Sequence, residues 1–125
     1  MTESALMTWA KLGSLLLFVG VLASGQVLFK AAAQSIKGPV GFDLPTLIQL
    51  LFNPYLLVGV AVYAIATIFW VLVLRDTELS KAYLVVALAF VLVPLAGTLF
   101  FQEPLTARLL IGMAIILFGL GIALW

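Results

Sequence analysis

Four long apolar segments fill most of this chain, and they constrain its fold more than any other feature. A helix that crosses a bilayer needs roughly 20 predominantly apolar residues. The four segments predict helices over about residues 9–33, 54–74, 80–101 and 105–125. Hydrocarbon cannot solvate backbone N–H and C=O groups, so such segments fold as helices. The sequence therefore predicts an all-α membrane protein, a single domain over 1–125 with four transmembrane helices.

The composition agrees with a membrane protein and excludes several other classes. Of the 125 residues, 66% are hydrophobic and only 9% are charged, too few polar groups to cover a domain in water. A net charge of +1 lacks the basic face that nucleic-acid binding requires, so no nucleic-acid partner is expected. The chain has no cysteine and no histidine, which removes common metal ligands and the usual general base. We expect no enzyme, no metal and no cofactor.

Two lysines mark the ends of the first predicted helix. Lys11 and Lys30 are nineteen residues apart, which is roughly 28 Å of helix and close to one hydrocarbon thickness. Their ammonium groups should therefore reach opposite membrane surfaces. We call the surface at Lys11 side A and the surface at Lys30 side B. The same segment also has the order of a signal peptide, with a lysine, an apolar run over 12–22 and small residues after it.

The longest connection, residues 34–53, contains a second short apolar segment. Asp43 can cap a helix over about residues 44–52, which is too short to span a bilayer. We expect this helix to lie in the membrane interface on side B.

The charged residues do not decide the orientation of the protein. The positive-inside rule compares lysine and arginine on the two sides of the membrane. Three lie on side A and three on side B: Lys11, Arg75 and Lys81, against Lys30, Lys37 and Arg108.

A polar corner separates the third and fourth predicted helices. Its residues are Glu103-Pro104-Leu105-Thr106, and Pro94 lies within the helix that precedes it. Glu103-Pro104 should end the third helix, because proline disfavours a helical conformation in the residue before it. Pro104 can then occupy the first turn of the fourth helix, with Glu103 near its positive end.

This corner, the helical proline and a glycine-spaced fourth helix resemble the drug/metabolite transporter superfamily. The resemblance covers most of residues 10–125, and it is to the four-helix unit of the small multidrug resistance branch and related lipid-carrier flippase subunits. The spacing of Gln26 and Lys30 is more similar to the undecaprenyl-phosphate-aminoarabinose flippase subunits than to the drug exporters. The exporters carry a glutamate two turns before the lysine, where this chain has Leu22.

The start of the third helix gives the resemblance both support and exceptions. Ala82-Tyr83 matches the pair that starts this helix in both branches. Val86 replaces an aromatic residue of the exporters. Ala87 and Ala89 stand where the flippase subunits have a polar serine and asparagine, so the identity of the substrate is not fixed by these positions.

Several polar side chains are candidates for substrate binding. Helix lengths bring four of them to side B, and they are Gln26, Lys30, Glu103 and Arg108. A lysine at headgroup level can donate charge-assisted hydrogen bonds to a phosphate, and Glu103 could pair with Lys30 or Arg108 in the empty site. Tyr63 and Tyr83 are further candidates for lining a cavity. The competing interpretation is that these residues anchor helices at the interface or join them by hydrogen bonds.

A stripe of small residues on the fourth helix predicts close helix packing. Gly112, Gly119 and Ala123 are spaced by seven and four residues, so they share one face. Small residues let two helix backbones approach closely in lipid. The stripe could pack within the monomer or form a homodimer, or a heterodimer with a related four-helix subunit.

The functional hypothesis is a multi-pass inner-membrane flippase subunit. The resemblance implies that it moves a polyprenyl-phosphate-linked sugar or a similar anionic lipid, with membrane lipids around it. One alternative is a small multidrug resistance-type exporter of cationic compounds. Another is a non-transporting accessory subunit of a glycolipid-modifying complex.

Overall fold

The protein is a bundle of helices in the computed structural model, which describes residues 9–39 and 41–124. Those residues form six helices and no strand: α1 Trp9–Ser35, α2 Leu44–Leu51, α3 Pro54–Leu74, α4 Leu79–Val86, α5 Ala89–Phe101 and α6 Ala107–Leu124. Four spans are long and apolar enough to cross a membrane, because α4 and α5 together make one span, Leu79–Phe101. The predicted all-α fold with four transmembrane helices is confirmed, and so is the short helix between the first two. The predicted end of the fourth helix at Trp125 falls outside the described residues.

The first helix is the centre of the bundle. α1 packs against α3, α4 and α5, whereas α6 packs against α4 and α5. Its buried side chains include Leu15, Phe18 and Val19, and Leu15 forms a core cluster with Ala82 and Val85 of α4. Because lipid tails are as apolar as these side chains, close packing rather than the exclusion of water stabilises such contacts in a membrane.

Side-chain caps start the two helices that follow the long connection. The Asp43 carboxylate accepts a hydrogen bond from the Thr46 backbone N–H at 3.1 Å and so begins α2. Hydrogen bonds from the Thr46 side chain and then its backbone lower the pKa of Asp43. The Asn53 side chain accepts from the N–H groups of Tyr55 and Leu56 and begins α3. These caps fix where α2 and α3 begin, and α2 follows the first span and precedes the second.

The third span contains a break that the sequence analysis did not predict. The backbone N–H groups of Ala87 and Leu88 bond to carbonyls three residues back, each at 3.0 Å, instead of four residues back. The same tightening continues at Phe90 and Val91. Pro94, which follows, cannot donate to the Phe90 carbonyl and its ring crowds that group. The span therefore consists of two helices with a short 3₁₀-like join.

The polar corner differs in detail from its prediction. Gln102 adopts the left-handed conformation, with φ of 52°, and this turns the chain away at the end of α5. The Thr106 hydroxyl oxygen accepts from the Leu109 N–H at 3.2 Å, so Thr106 caps α6. α6 therefore starts at Ala107, two residues later than predicted, and Pro104 lies outside its first turn.

The stripe of small residues on α6 faces outward from the described chain. Gly112, Gly119 and Ala123 are exposed, and a Cβ added at either glycine would meet no atom within 4 Å. Packing of the stripe inside the monomer is therefore not observed among residues 9–39 and 41–124. The stripe is therefore available to contact a second protein subunit or lipid.

We predict that single cysteines report the four-span topology. The chain has no native cysteine, so Trp9→Cys and Glu78→Cys can be labelled one at a time with a maleimide that does not cross membranes. Both positions should react from the same face of the membrane, because two spans separate them. Lys37→Cys should react from the opposite face. Reaction of the Trp9→Cys and Glu78→Cys variants from opposite faces of the membrane would contradict this topology.

We also predict that Gly119→Leu weakens the association between subunits without unfolding the monomer. The added side chain meets open space in the monomer but would separate two helices that meet at the stripe. Crosslinking yield in membranes measures the association, and thermal unfolding in detergent measures the fold. Ala114→Leu, an exposed position roughly on the other side of α6, is the control. Equal crosslinking in both variants would show that the stripe faces lipid.

Candidate functional site

A cleft lies between α1 and α5, at the end of the bundle that we call side B. It has a volume of about 380 Å³. Its lining comes from two helices and the corner: Gln26, Val27, Phe29 and Lys30 of α1, Val93, Gly97 and Phe101 of α5, and Glu103. Most of these side chains are apolar. The polar groups are therefore few and concentrated, as in many ligand sites.

An ion pair across this cleft joins α1 to the corner that follows α5. The Lys30 Nζ lies 3.5 Å from the Glu103 Oε2, and each side chain is 46% exposed. An exposed pair of this kind contributes little to stability in water. Here the pair stands beside apolar side chains of α1 and α5, where fewer water molecules compete for it. Because the Lys30 side chain is 46% exposed and lines the cleft, a ligand in the cleft can reach it.

Gly97 leaves space for the Glu103 carboxylate against the backbone of α5. A Cβ added to Gly97 would overlap Oε1 of Glu103 and lie 3.2 Å from its Cδ, so the carboxylate rests directly on the α5 backbone. The left-handed Gln102 reverses the chain, and the N–H groups of Gln102 and Glu103 both donate to the Gly97 carbonyl. The corner thus folds back and directs Glu103 towards α1.

Gln26, the other polar residue of the cleft, is hydrogen-bonded to Tyr63 of α3. Its amide nitrogen donates to the Tyr63 hydroxyl, and the Tyr63 ring meets Phe29 edge-on with centroids 5.0 Å apart. A Cβ on Gly25 would approach the Tyr63 ring to 2.6 Å, so this glycine lets the ring lie against α1. Tyr63 is therefore part of the site's support and does not line the cleft itself.

The structure separates two candidate residues from this cleft. Arg108, the second residue of α6, is exposed and is not among the residues that line the cleft. Tyr83 of α4 packs edge-on against Trp70 at 6.4 Å, and Trp70 stacks on Phe18 at 4.7 Å. Phe18 lies twelve residues before Lys30 on α1, or about 18 Å away along the helix. Tyr83 thus belongs to an aromatic cluster nearer side A.

Sequence reasoning missed Gly25 and Gly97 as parts of the site. Each is buried, and each allows a side chain of another segment to approach a helix backbone. The available signal was a glycine inside an apolar helix, which often marks close packing in membranes. That signal does not say which side chain will approach.

The polar side chains that line the cleft are an ammonium, a carboxylate and an amide, a set that can bind a charged headgroup. Among residues 9–39 and 41–124, no three Asp or Glu side chains gather as a metal site would require. Two hydroxyl groups inside the spans donate to carbonyls of their own helices, Ser24 to Gly20 and Thr98 to Pro94. The chemistry of the cleft is therefore that of Lys30, Glu103 and Gln26.

The chain is similar to bacterial flippase subunits. It is 34% identical over 112 residues to the probable 4-amino-4-deoxy-L-arabinose-phosphoundecaprenol flippase subunit ArnE of Yersinia pestis (strain Pestoides F), covering 89% of this chain and 94% of that protein. The same figures hold for ArnE of Yersinia pseudotuberculosis serotype O:1b (strain IP 31758). A shorter match, 40% identical over 63 residues, is to the probable flippase subunit ArnF of Pseudomonas savastanoi pv. phaseolicola (strain 1448A / Race 6), covering 49% of this chain and 46% of that protein. No family model and no solved structure matches the chain.

We predict that Gly97→Ala disrupts the ion pair while the helices stay folded. The new methyl group would occupy the place of the Glu103 carboxylate, which is the far end of a flexible side chain and can move away. A nitroxide label at Phe101 should then report a more mobile corner by electron paramagnetic resonance, with unchanged helix content by circular dichroism. Ala96→Gly, next to it on α5, is the control. An equally immobile label in Gly97→Ala would show that the corner does not depend on this contact.

Proposed function

The chain belongs to the family of 4-amino-4-deoxy-L-arabinose-phosphoundecaprenol flippase subunits, and we propose that it is one subunit of a transporter that moves a polyprenyl-phosphate-linked sugar across a bacterial inner membrane. The observation that carries the proposal is the cleft with its half-exposed Lys30 side chain beside the Glu103 carboxylate. A lipid can bring its phosphate to that depth while its chain stays in hydrocarbon. The flippase needs no covalent chemistry for this step.

The phosphate of the headgroup binds Lys30. The ammonium has three N–H donors, and charge-assisted hydrogen bonds to a phosphate are stronger than neutral ones. In the empty cleft the Glu103 carboxylate pairs with the Lys30 ammonium at 3.5 Å. A substrate phosphate competes with that carboxylate, so the pair holds Lys30 in position until the substrate arrives.

The opening of the cleft suits a lipid substrate. Val93 and Phe101 of α5 and Val27 and Phe29 of α1 form apolar walls beside the charged groups. A polyprenyl chain can remain in contact with these walls and with the lipid around them. A small, fully hydrated ion would gain nothing from such walls.

A related four-helix subunit is the proposed partner. The similar proteins are named as subunits, ArnE and ArnF, and this chain leaves the small-residue face of α6 uncovered. Four spans also form a thin wall for a transport path, and repeated units around a central site are common in transporters. We propose a heterodimer in which that subunit completes the path.

The two alternatives predict different chemistry. A small multidrug resistance-type exporter would need a carboxylate within the first span, and α1 has no acidic residue. An accessory subunit of a glycolipid enzyme would bind its enzyme and leave lipid distribution unchanged. Binding of a phosphate lipid at Lys30 favours the flippase over the cation exporter, whereas movement of that lipid between leaflets would separate it from the accessory subunit.

We predict that Lys30→Gln weakens the binding of undecaprenyl phosphate about tenfold to a hundredfold. Loss of a hydrogen bond to a charged group costs on the order of 1.5–3 kcal/mol, which corresponds to that change in affinity. Native mass spectrometry of the protein in nanodiscs measures the bound lipid at increasing lipid concentration.

Lys37→Gln is the matched control. Lys37 is an exposed lysine of the same side, in the connection after α1, and it does not line the cleft. It should change the affinity less than twofold. Equal losses in the two variants would indicate general attraction of anionic lipid, and unchanged binding in Lys30→Gln would remove the proposed phosphate site.

A further inference from the structure

The charges of the cleft do not fit a ligand that is only an anion. Its ionisable lining residues are one cation, Lys30, and one anion, Glu103, because Arg108 lies elsewhere. A site for phosphate alone gains from additional cations and loses from a carboxylate at 3.5 Å from its lysine, since that carboxylate repels the ligand. Holding Lys30 in the empty cleft explains Glu103 only before a ligand binds. A positively charged group on the ligand would explain the carboxylate in the occupied cleft as well.

We infer that Glu103 determines specificity by binding a primary ammonium group on the same headgroup whose phosphate binds Lys30. This inference rests on the proposed function. The names of the similar proteins already specify an amino sugar phosphate, and the inference adds which side chain binds the amine. Binding is then an exchange of partners. Lys30 gives up a carboxylate and gains a phosphate, and Glu103 gives up one ammonium and gains another.

The cost of an incomplete exchange supports the inference. When a phosphate alone takes Lys30, Glu103 loses its cation while it remains among Phe101, Val93 and the α5 backbone. The Glu103 charge then has no cation beside it on a side whose neighbours are apolar, and because the side chain is 46% exposed, water offsets only part of that loss. A zwitterionic headgroup avoids the penalty, because each protein charge ends with an opposite charge beside it.

The geometry lets the carboxylate act in this way. The contact of Glu103 with Gly97 and the left-handed conformation of Gln102 fix the backbone of the corner. The Glu103 side chain itself is 46% exposed, so its carboxylate can turn from Lys30 to a ligand without unfolding the turn. Lys30 is equally exposed and has four rotatable side-chain bonds with which to follow a phosphate.

Two sources could supply this chemistry, an amino sugar phosphate on a polyprenyl chain and the headgroup of phosphatidylethanolamine. The third polar side chain of the cleft favours the amino sugar. Gln26 is held in place by Tyr63 and presents an amide to the cleft. The hydroxyl groups of a sugar ring can bond to an amide, whereas ethanolamine carries no hydroxyl group once it is joined to phosphate.

The test compares two headgroups that differ only in the amine. The probes are undecaprenyl phosphate bearing a 4-amino-4-deoxy-arabinose and the same lipid with its amine acetylated, which removes the positive charge. Affinities are measured by native mass spectrometry of the full chain in phosphatidylglycerol nanodiscs. The wild type should prefer the free amine by about tenfold or more. Glu103→Gln should abolish that preference, and Glu103→Asp, which keeps the charge, should retain part of it.

The outcomes separate this inference from the proposed function. If Glu103→Gln strengthens the binding of both probes equally, Glu103 only competes for Lys30, and the inference fails while the phosphate site stands. If Lys30→Gln affects neither probe, the proposed function fails. Displacement of the amino sugar probe by phosphatidylethanolamine at equal concentration would overturn the assignment to a sugar. Native helix content and thermal unfolding in each variant show that the comparison is between folded proteins.

Discussion

Hydrocarbon offers no hydrogen-bond partner, and the arrangement of this protein follows from that constraint. Each polar group within a span must bond to the protein or reach a membrane surface. Ser24, Thr67 and Thr98 donate to carbonyls four residues back in their own helices, so these hydroxyls make no demand on their surroundings. Gln26, Lys30 and Glu103 lie together at one cleft, whereas Arg108 lies outside it. The central position of α1 makes this possible, because the other helices that form the site pack on it.

Much of the fold could be predicted from where the apolar segments begin and end. Asn53-Pro54 starts α3 because asparagine caps the free N–H groups and proline suits a first turn. The start of α6 was harder, since Thr106 proved a better cap than the residues around Pro104. The break at Ala87 and Leu88 was not predictable from hydrophobicity, because the residues on both sides of it are apolar.

The candidate site was predictable to the level of a membrane surface, and not to the level of a contact. Helix length places Lys30 and Glu103 at the same depth, and the structure brings them to 3.5 Å. It leaves Arg108 outside the cleft, because depth says nothing about the direction in which a side chain leaves its helix. The missing information lay in Gly97 and Gly25. Where a Cβ is absent, a carboxylate or an aromatic ring from another segment can touch the backbone, and that contact sets the lateral arrangement.

The opposite charges of Lys30 and Glu103 have a consequence for energetics across the membrane. An elementary charge that moves through a potential of 100 mV gains or loses about 2.3 kcal/mol. The pair adds up to zero charge, so a cleft that opened to the other side of the membrane would carry no net charge with it. A headgroup with one phosphate charge and one ammonium is also neutral. In the proposed transporter its passage would therefore be electroneutral, and the membrane potential would neither drive the step nor oppose it.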